Sequence, residues 1–296
     1  MPSTMITAVR LGEAAYPPRL AEIPGPPETL FYRGTLPAPD ETTIAIVGTR
    51  KATREGLATA EALAEALAGY GFHVISGLAF GIDAAAHRGA LRGRGKTSAV
   101  LGCGVDTIYP AAHEQLGREI LSSGGGIISE YPAGTPSLPH QFLARNRIVS
   151  GLALATVIVE APIRSGALVT AKHALDQGRE VFVVPGPANH RNYAGSHMLI
   201  RNGARLVGNA EDIIEDLGEA LPALEAERAK ARNARIPEDP AGRAIFSALA
   251  EASEPLSVDN LAEITTLEPH VIQQTLTYLT FEDLVEERSG KFTLTK

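Results

Sequence analysis

The sequence predicts an α/β fold: an extended Rossmann-like, parallel-sheet domain followed by a small C-terminal winged-helix domain. Three observations lead to this prediction. Short β-rich apolar runs alternate with Ala- and Leu-rich helical stretches over residues 40–217, glycine-containing turns follow most of these runs, and three amphipathic segments occupy residues 241–296. Strands that alternate with helices form right-handed crossovers, which place helices on both faces of a parallel sheet.

The strands of the first domain are predicted from its apolar runs. The helical stretches between them, such as residues 56–71, are rich in Ala and Leu and end at a glycine, which is typical of helix termination. The predicted strands are Ile44–Val47, Phe72–Ile75, Ser98–Leu101, Ile127–Ser129, Val157–Val159 and Val181–Val184, with Ala204–Val207 as a short edge strand.

The remaining segments flank this domain. Residues 1–39 are proline-rich and are interpreted as an arm that packs on the Rossmann-like domain. Residues 218–240 are charged, rich in alanine and closed by two prolines, which indicates a linker. Residues 241–296 predict a helix, a helix-turn-helix and a hairpin around Ser289 and Gly290, the order of a winged helix.

Composition narrows the class of protein. The 296 residues include one cysteine, Cys103, and no apolar run of transmembrane length, and the N-terminus lacks the pattern of a secretory signal, so we expect a cytosolic globular protein. The net charge is −7, but residues 40–217 carry 16 basic and 17 acidic side chains, so this domain is nearly neutral and can hold a local basic site.

The predicted winged helix is acidic. Residues 241–296 carry nine acidic and four basic residues, and the proposed recognition stretch, residues 268–281, contains no Lys or Arg. We therefore expect the winged helix to contact protein, or to make no direct contact with a partner, rather than to read DNA.

Residues suited to phosphate binding follow the first two strands. Gly48 permits close backbone approach, Thr49 can cap a helix, and Arg50 supplies a planar guanidinium. The second loop, residues 76–83, has two glycines and a helix entry. Asp83 and His87 lie four residues apart on one helical face. They could form an acid/base pair or half a metal site, but the favoured interpretation is that Asp83 organises the loop and His87 anchors the helix.

Later strands end in similar loops. Gly102 and Gly104 flank Cys103 and are expected to leave it accessible, although no base can be assigned to activate a nucleophilic thiol. A proline-rich loop leads to a helix that begins near Gln141 and carries Phe142 among several arginines, a combination that holds unpaired bases and phosphates. Each loop alone could be an ordinary tight turn, but their conjunction at one sheet edge favours a ligand crevice.

Several catalytic motifs are absent from the sequence. No G-x-G-x-x-G follows the first strand, and neither a P-loop nor a serine elbow is present. These absences disfavour a dinucleotide cofactor, ATP hydrolysis and serine-based acyl transfer. The sequence therefore predicts a protein that holds phosphates without cleaving them, with no catalytic residues, no cofactor and no metal.

Seven strings carry a resemblance to a known family. The strings IAIVGTR, HVISGLAFGIDAAAH, TSAVLGCGVDTIYP, SEYPAG, HQFLARNRIVSGLA, VIVEAPIRSGALVTAKHALDQGREVFVVPG and GSHMLIRNGARLV resemble the DprA/Smf DNA-processing proteins from about Tyr16 to Leu217. The resemblance implies an extended Rossmann fold without known catalytic activity. It also implies a homodimer that binds and protects incoming single-stranded DNA during natural transformation and loads RecA past single-strand-binding protein.

The resemblance also implies roles for individual residues. By analogy Arg50 contacts phosphate, Phe142 stacks on a base, and the second and fifth loops supply backbone amides. The helix residues His197, Met198, Leu199 and Ile200 resemble the surface used for dimerisation and for RecA. The complete candidate DNA site is Gly48, Thr49, Arg50, Ser76, Gly77, Ala79, Gly81, Gly102, Gly104, His140, Phe142, Arg145, Asn146, Arg147, Arg164, Ser165 and Gly166.

The sequence departs from the family in two places. Some members have a pocket lysine where this chain has Ala111, so affinity is expected to depend more on the arginines. Many members carry a helical domain ahead of the Rossmann domain, whereas this chain begins close to the Tyr-Pro-Pro arm, so functions of that domain are in doubt.

Two alternatives remain open. One is a phosphoribohydrolase-like nucleotide-binding enzyme, although its P-G-G-x-G-T loop is missing because the sixth strand ends in Val-Pro-Gly-Pro. The other is a regulatory protein that binds through its winged helix.

Overall fold

The computed structural model describes residues 5–218, 239–252, 255–281, 285–288 and 290–294. These residues fall into two compact units, residues 5–218 in the first and residues 239–294 in the second, and each unit is described by itself. The predicted linker lies almost entirely outside the described residues.

The first unit is built on a nine-stranded sheet with the order β1-β2-β6-β5-β4-β3-β7-β8-β9. Strands β3 to β9 are parallel to one another, whereas β2 pairs antiparallel with β6 and β1 pairs antiparallel with β2. Every predicted strand is confirmed. The strands are β1 Thr7–Arg10, β2 Thr29–Gly34, β3 Thr43–Val47, β4 His73–Ser76, β5 Thr97–Val100, β6 Gly126–Ser129, β7 Ala155–Ile158, β8 Glu180–Val183 and β9 Arg205–Leu206.

Helices cover both faces of this sheet, and their packing forms the core. One face buries Ile44, Ile46 and Val157 against α2, α3 and α8, and the other buries Ala45, Val47 and Ile158 against α1, α5, α6 and α7. Alternate residues of β3 therefore serve opposite faces, as the two-residue period of a strand requires. The helices are α1 Pro18–Ala21, α2 Arg54–Gly69, α3 Ile82–Arg92, α4 Glu114–Ser122, α5 Pro139–Gly151, α6 Gly166–Asp176, α7 Ala194–Arg201 and α8 Ala210–Leu217, with single 3₁₀ turns at Ala111–His113 and Arg191–Tyr193.

The N-terminal arm is part of the sheet. The sequence predicts that residues 1–39 are an arm packed on a domain that starts at residue 40, but β1 and β2 extend the sheet beyond β6, and Leu20, Ile23 and Leu30 are buried in its core. The sheet therefore begins well before the predicted boundary at residue 40. The reason is that β2 pairs with β6, which lies about a hundred residues later in the chain, and local patterning cannot reveal such a pairing.

The chain reverses its direction of winding at β3. From β3 it proceeds through β4 and β5 to β6, and it then returns to place β7 on the other side of β3. The two loops that leave β3 and β7 therefore diverge, which opens a crevice at the carboxyl ends of the strands, where open α/β sheets bind ligands.

The second unit has the predicted winged-helix order. It contains α9 Pro240–Glu251, α10 Val258–Thr265, α11 Pro269–Phe281 and a hairpin of β10 Val285–Arg288 and β11 Lys291–Leu294. Its core is formed by Ile245, Leu249, Leu261, Ile272 and Leu279. Helix α11 corresponds to the proposed recognition stretch. Among the described residues, no helix is long and apolar enough to cross a membrane.

Candidate nucleic-acid interface

A cleft of about 630 Å³ opens at this reversal point. Its walls come from five places: the loops after β3, β4 and β5, the first turns of α5, and the loop that leads into α6. The lining residues are Val47, Gly48, Thr49, Arg50, Lys51, Gly77, Ala79, Asp83, Tyr109, Pro139, Phe142, Leu143, Arg145, Asn146, Val149, Pro162, Arg164, Ser165, Gly166, Ala167 and Thr170.

The loop after β3 presents two cations to this cleft. Arg50 and Lys51 are both exposed, and the Arg50 guanidinium carbon lies 5.5 Å from the centre of the Phe142 ring, within the range of a cation–π contact. The Thr49 amide donates to the Glu160 carbonyl at 2.7 Å, which anchors the base of the loop to the segment just after β7. The loop therefore combines exposed charge with a fixed backbone.

The loop after β4 is held by its own carboxylate. Asp83 accepts hydrogen bonds from the amides of Gly77 at 3.2 Å and Ala79 at 3.4 Å. These amides are predicted from the sequence to hold a phosphate, and in the structure they are already satisfied. Gly81 has a φ of +78°, and a Cβ on it would lie 2.2 Å from the Thr49 carbonyl oxygen, so this glycine lets the two loops meet.

Arg145 lines the floor of the cleft and is almost fully buried. Its side chain is 4% exposed, and its guanidinium donates to the carbonyls of Gly77, at 2.7 Å, and Val100. Burial lowers its pKa to about 10, although the Asp83 carboxylate acts in the opposite direction, so Arg145 is charged at neutral pH. Burial raises the pKa of Asp83, whereas Arg145 and the loop amides lower it. Arg145 therefore supplies positive potential and support for the floor.

The cleft has an aromatic wall. Phe142 is half-buried, and its ring centre lies 5.2 Å from that of the exposed Tyr109. Phe80, 49% exposed, lies beside them at a smaller depression of about 110 Å³ that adjoins the cleft. Exposed aromatic faces beside exposed cations suit a flexible chain of bases and phosphates.

The opposite wall is the entry to α6. Arg164 is exposed, and Ser165 and Gly166 begin the helix. Asn146 donates from its amide nitrogen to the Gly166 carbonyl at 3.1 Å, which ties this entry to α5. Asn146 therefore positions the wall.

Six of the predicted site residues do not line the cleft. Ser76 donates its hydroxyl to the Ile46 carbonyl at 2.7 Å, and Gly81 joins two loops. Gly102 packs against Phe142 from below, and Gly104 is enclosed by Asp106 and Pro132. His140 is exposed on the turn before Phe142 but lies outside the lining.

Arg147 is the sixth predicted site residue that does not line the cleft. Its guanidinium pairs with Glu130 at 2.6 Å, and its side chain is 22% exposed. Residues two apart on a helix point in nearly opposite directions, so Arg145 and Arg147 cannot serve the same site.

The prediction that Cys103 is accessible was wrong. Cys103 is 2% exposed and packs with Leu101, Val105 and Ile108. Burial raises the pKa of its thiol, which makes it a poor nucleophile.

The interpretation of His87 is confirmed. Its Nδ1 lies 2.7 Å from the Thr97 hydroxyl, which anchors α3 to β5, and burial lowers the pKa of His87 to about 3.

A buried carboxylate supports the loop after β3. Glu160 is fully buried and accepts hydrogen bonds from the Thr53 amide at 3.1 Å, the Thr53 hydroxyl and the Asn192 side chain at 2.9 Å. Asn192 also donates to the Lys51 carbonyl at 3.0 Å. Burial alone would raise the pKa of Glu160, but the hydrogen bonds from Thr53 and Asn192 hold it below the usual range. The role of Glu160 is not evident from the sequence, because it depends on residues far apart in the chain.

A family model described as DNA recombination-mediator protein A matches residues 7–218, and a second model, the DprA winged helix domain, matches residues 228–291. The chain belongs to the DprA/Smf family. It is 45% identical over 202 residues to Protein Smf of Escherichia coli, which covers 68% of this chain and 54% of that protein. It is 39% identical over 201 residues to the DNA processing protein DprA of Streptococcus pneumoniae, which covers 68% and 71% of the two chains. The chain thus spans about half the length of the E. coli relative.

Two solved structures of DprA share the fold. The X-ray structure of the Streptococcus pneumoniae protein has a TM-score of 0.66 and 37% identity, with 71% of this chain and 74% of that chain covered. The structure of the Helicobacter pylori protein, described for its single-stranded DNA binding mode, has a TM-score of 0.63 and 28% identity, with 73% and 97% covered.

Among the residues that line the cleft but were not predicted as site residues are one cation, Lys51, and one aromatic residue, Tyr109. Lys51 directly follows Arg50, and its charge in the same glycine-led loop was an available signal. Tyr109 belongs to the string TSAVLGCGVDTIYP that carried the family resemblance, but its contact with Phe142 depends on tertiary packing. In the part of the chain that the structure describes, no group of three His, Cys, Asp or Glu residues could hold a metal ion.

The predicted dimer surface lies on α7. Met198 is 42% exposed and Ile200 is half-buried, whereas Leu199 is only 8% exposed and packs in the core. The His197 Nε2 lies 3.1 Å from the Gly186 carbonyl. The outward-facing residues available to a partner are therefore Met198 and, in part, His197 and Ile200.

Proposed function

We propose that this protein binds single-stranded DNA in the cleft at the β3–β7 reversal point and acts as a recombination mediator. It protects incoming strands and loads RecA onto them during natural transformation, as a cytoplasmic homodimer. One observation carries the proposal: exposed Arg50, Lys51 and Arg164 line the same cleft as the Phe142–Tyr109 pair, in a chain of a DNA recombination-mediator family.

The chemistry of the cleft supports a single strand over a duplex. Base–aromatic stacking contributes about 1–3 kcal/mol per base and requires an unstacked base, which a single strand offers at little cost. Duplex DNA is stiff, and its bases are already stacked, so it can use the cations but not the aromatic wall. Affinity should fall as salt rises, because each neutralised phosphate releases counterions.

The site residues favour binding over cleavage. The Asp83 carboxylate is engaged with two backbone amides, Glu160 is buried beneath the loop after β3, and the Cys103 thiol is buried. Asp83 and Glu160 hold loops that line the cleft, Cys103 packs among apolar side chains, and none of the three is placed to attack a phosphodiester. Members of the family are DNA-binding recombination mediators without a known catalytic activity.

The binding proposal is tested by fluorescence anisotropy with a labelled oligothymidine and unlabelled single- and double-stranded competitors. We expect the single strand to compete at least tenfold better. Arg50→Ala should weaken binding by about 1–3 kcal/mol, since a charge-assisted contact is lost. The matched control is Arg88→Ala, which removes an exposed cation from α3 outside the cleft lining. Equal competition by the duplex, or equal effects of the two variants, would refute the proposal.

The RecA and dimer proposals need a separate test at α7. Met198→Glu places a charge on an exposed position, whereas a change at Leu199 would disturb the core instead. We expect Met198→Glu to lower the sedimentation coefficient and to slow RecA-driven strand exchange on DNA coated with single-strand-binding protein. Unchanged sedimentation and exchange would remove α7 from both roles.

A further inference from the structure

We propose that the bound strand leaves the cleft over the start of α6 and continues along a second groove beside this helix, where Lys172 contacts its backbone. The second groove has a volume of about 590 Å³ and lies between Leu143 of α5, Ile163 and one face of α6. This inference rests on the proposed function, because it concerns the path of the same ligand.

The second groove is continuous with the cleft. Leu143, Arg164, Ser165 and Gly166 line both depressions, so the start of α6 forms a low saddle between them. The Ser165 hydroxyl oxygen is buried at this saddle and has no hydrogen-bond partner among the described residues. A polar group without a partner at the junction, beside the exposed Arg164, suits a phosphate that crosses from one depression to the other.

The groove runs along one face of α6. Ser165, Leu168, Lys172 and Asp176 are spaced by three or four residues, which places them on the same side of the helix. At about 1.5 Å per residue, Lys172 lies roughly 10 Å along the helix axis from Ser165. The groove therefore extends the cleft by a distance that a single strand can follow.

The walls of the groove match the chemistry of a nucleic-acid strand. Leu143 and Ile163 are 50% and 62% exposed and offer apolar surface to bases. Arg164 and Lys172 are exposed, and no hydrogen bond or ion pair links either side chain to another described residue. Exposed cations without protein partners next to apolar surface are the two elements of single-strand binding.

The other charged or titratable groups limit where the strand can go. Burial lowers the pKa of His173, and although Asp176 opposes this, the imidazole is neutral at pH 7. Asp176 is the acidic group in the lining and stands at the far end of α6. A polyanion should therefore contact the groove between Arg164 and Lys172 and turn away before Asp176.

The experiment compares two lengths of oligothymidine, one that fills only the cleft (about 5 nucleotides) and one long enough to reach the groove (about 15 nucleotides). The variants are Lys172→Ala, the control Arg88→Ala with the same change in charge, and Arg50→Ala. We expect Lys172→Ala to weaken binding of the long oligonucleotide about fivefold and to lower the number of ions released on binding it, read from the salt dependence, by about one. Binding of the short oligonucleotide should not change. Arg50→Ala should weaken both lengths.

The outcomes separate this inference from the proposed function. If Lys172→Ala affects the long oligonucleotide no more than Arg88→Ala, or weakens both lengths equally, the second groove is not part of the path. If instead Arg50→Ala changes neither length, the cleft itself is wrongly assigned. A Lys172→Ala variant that binds both lengths normally but sediments differently would assign the groove to a protein partner and overturn the inference.

Discussion

The hydrogen bonds to Glu160 predict a measurable loss when its charge is removed. Glu160→Gln keeps the shape of the side chain but replaces one carboxylate oxygen by an amide nitrogen. In the structure Oε2 accepts from the Thr53 amide and from Asn192, and Oε1 accepts from the Thr53 hydroxyl. The glutamine oxygen can keep the two bonds at Oε2, but the amide nitrogen must then face Thr53, whose hydroxyl loses its acceptor.

The expected loss follows from these contacts. Two charge-assisted hydrogen bonds become neutral ones, and one half-buried hydroxyl is left without an acceptor, which together should lower the free energy of unfolding by about 2 kcal/mol. For a unit of this size that corresponds to a fall in Tm of roughly 4–8 °C. Because Glu160 also fixes the loop that presents Arg50 and Lys51, DNA affinity should fall as well.

The assay is thermal unfolding followed by circular dichroism, together with anisotropy titrations of the same samples. Glu28→Gln is the control, since it removes an exposed carboxylate far from the loop and should change stability by less than about 0.5 kcal/mol. If Glu160→Gln changes Tm no more than Glu28→Gln, the carboxylate does not support the loop. A lower Tm with normal DNA affinity would separate stability from loop positioning.

The pH dependence gives a second check on the same variant. The pKa of Glu160 is lowered in the folded state, so its stabilising contribution is complete above the unfolded value of about 4.3 and is lost as pH falls towards the folded value. The difference in stability between the natural protein and Glu160→Gln should therefore be constant near neutral pH and shrink below about pH 4.3. A difference that grows on acidification would contradict the assignment.

Three further predictions concern single side chains. Phe142→Leu should weaken single-strand binding by about 1–3 kcal/mol without a change in Tm of more than a few degrees, because stacking is lost while bulk is kept; anisotropy and circular dichroism check both. Arg147→Ala should lower the free energy of unfolding by about 1–3 kcal/mol because the half-buried Glu130 loses its partner, yet leave DNA affinity like that of Arg88→Ala; a loss of affinity as large as that of Arg50→Ala would return Arg147 to the site. Burial lowers the pKa of His87 to about 3, so the folded protein does not bind the proton that the unfolded chain binds below about pH 6.5. The stability of the natural protein relative to His87→Gln should therefore fall by about 2 kcal/mol between pH 7 and 5. Urea unfolding measures both proteins at each pH, and a stability difference that does not change with pH would contradict this prediction.

Local patterning was sufficient to predict the parallel sheet and the loops at its edge. The apolar runs are short, β-rich and separated by helical stretches, so the position of each strand follows from residues that are close together in the chain. Arg50 and Phe142 could be predicted for the same reason, since each immediately follows a strand or loop that the sequence defines.

Other properties depend on contacts between distant residues. The antiparallel pairing of β2 with β6 and the engagement of Asp83 with two amides of its own loop are tertiary facts. Arg145 and Arg147 are both arginines and lie two residues apart, but the turn of helix α5 directs Arg145 to the cleft floor and Arg147 to Glu130. The flanking glycines of Cys103 indicated accessibility, whereas apolar neighbours from other elements bury it.

The two hydrogen bonds that Asp83 accepts have a kinetic consequence. The Asp83 carboxylate accepts hydrogen bonds from two loop amides that could otherwise bind an anion, so the loop after β4 keeps its conformation when no DNA is present. The entropy cost of ordering this loop therefore arises when the protein folds, and it does not reduce the affinity each time a DNA strand binds. Association should therefore be limited by diffusion and by charge attraction, and differences among oligonucleotides should appear mainly in their residence times.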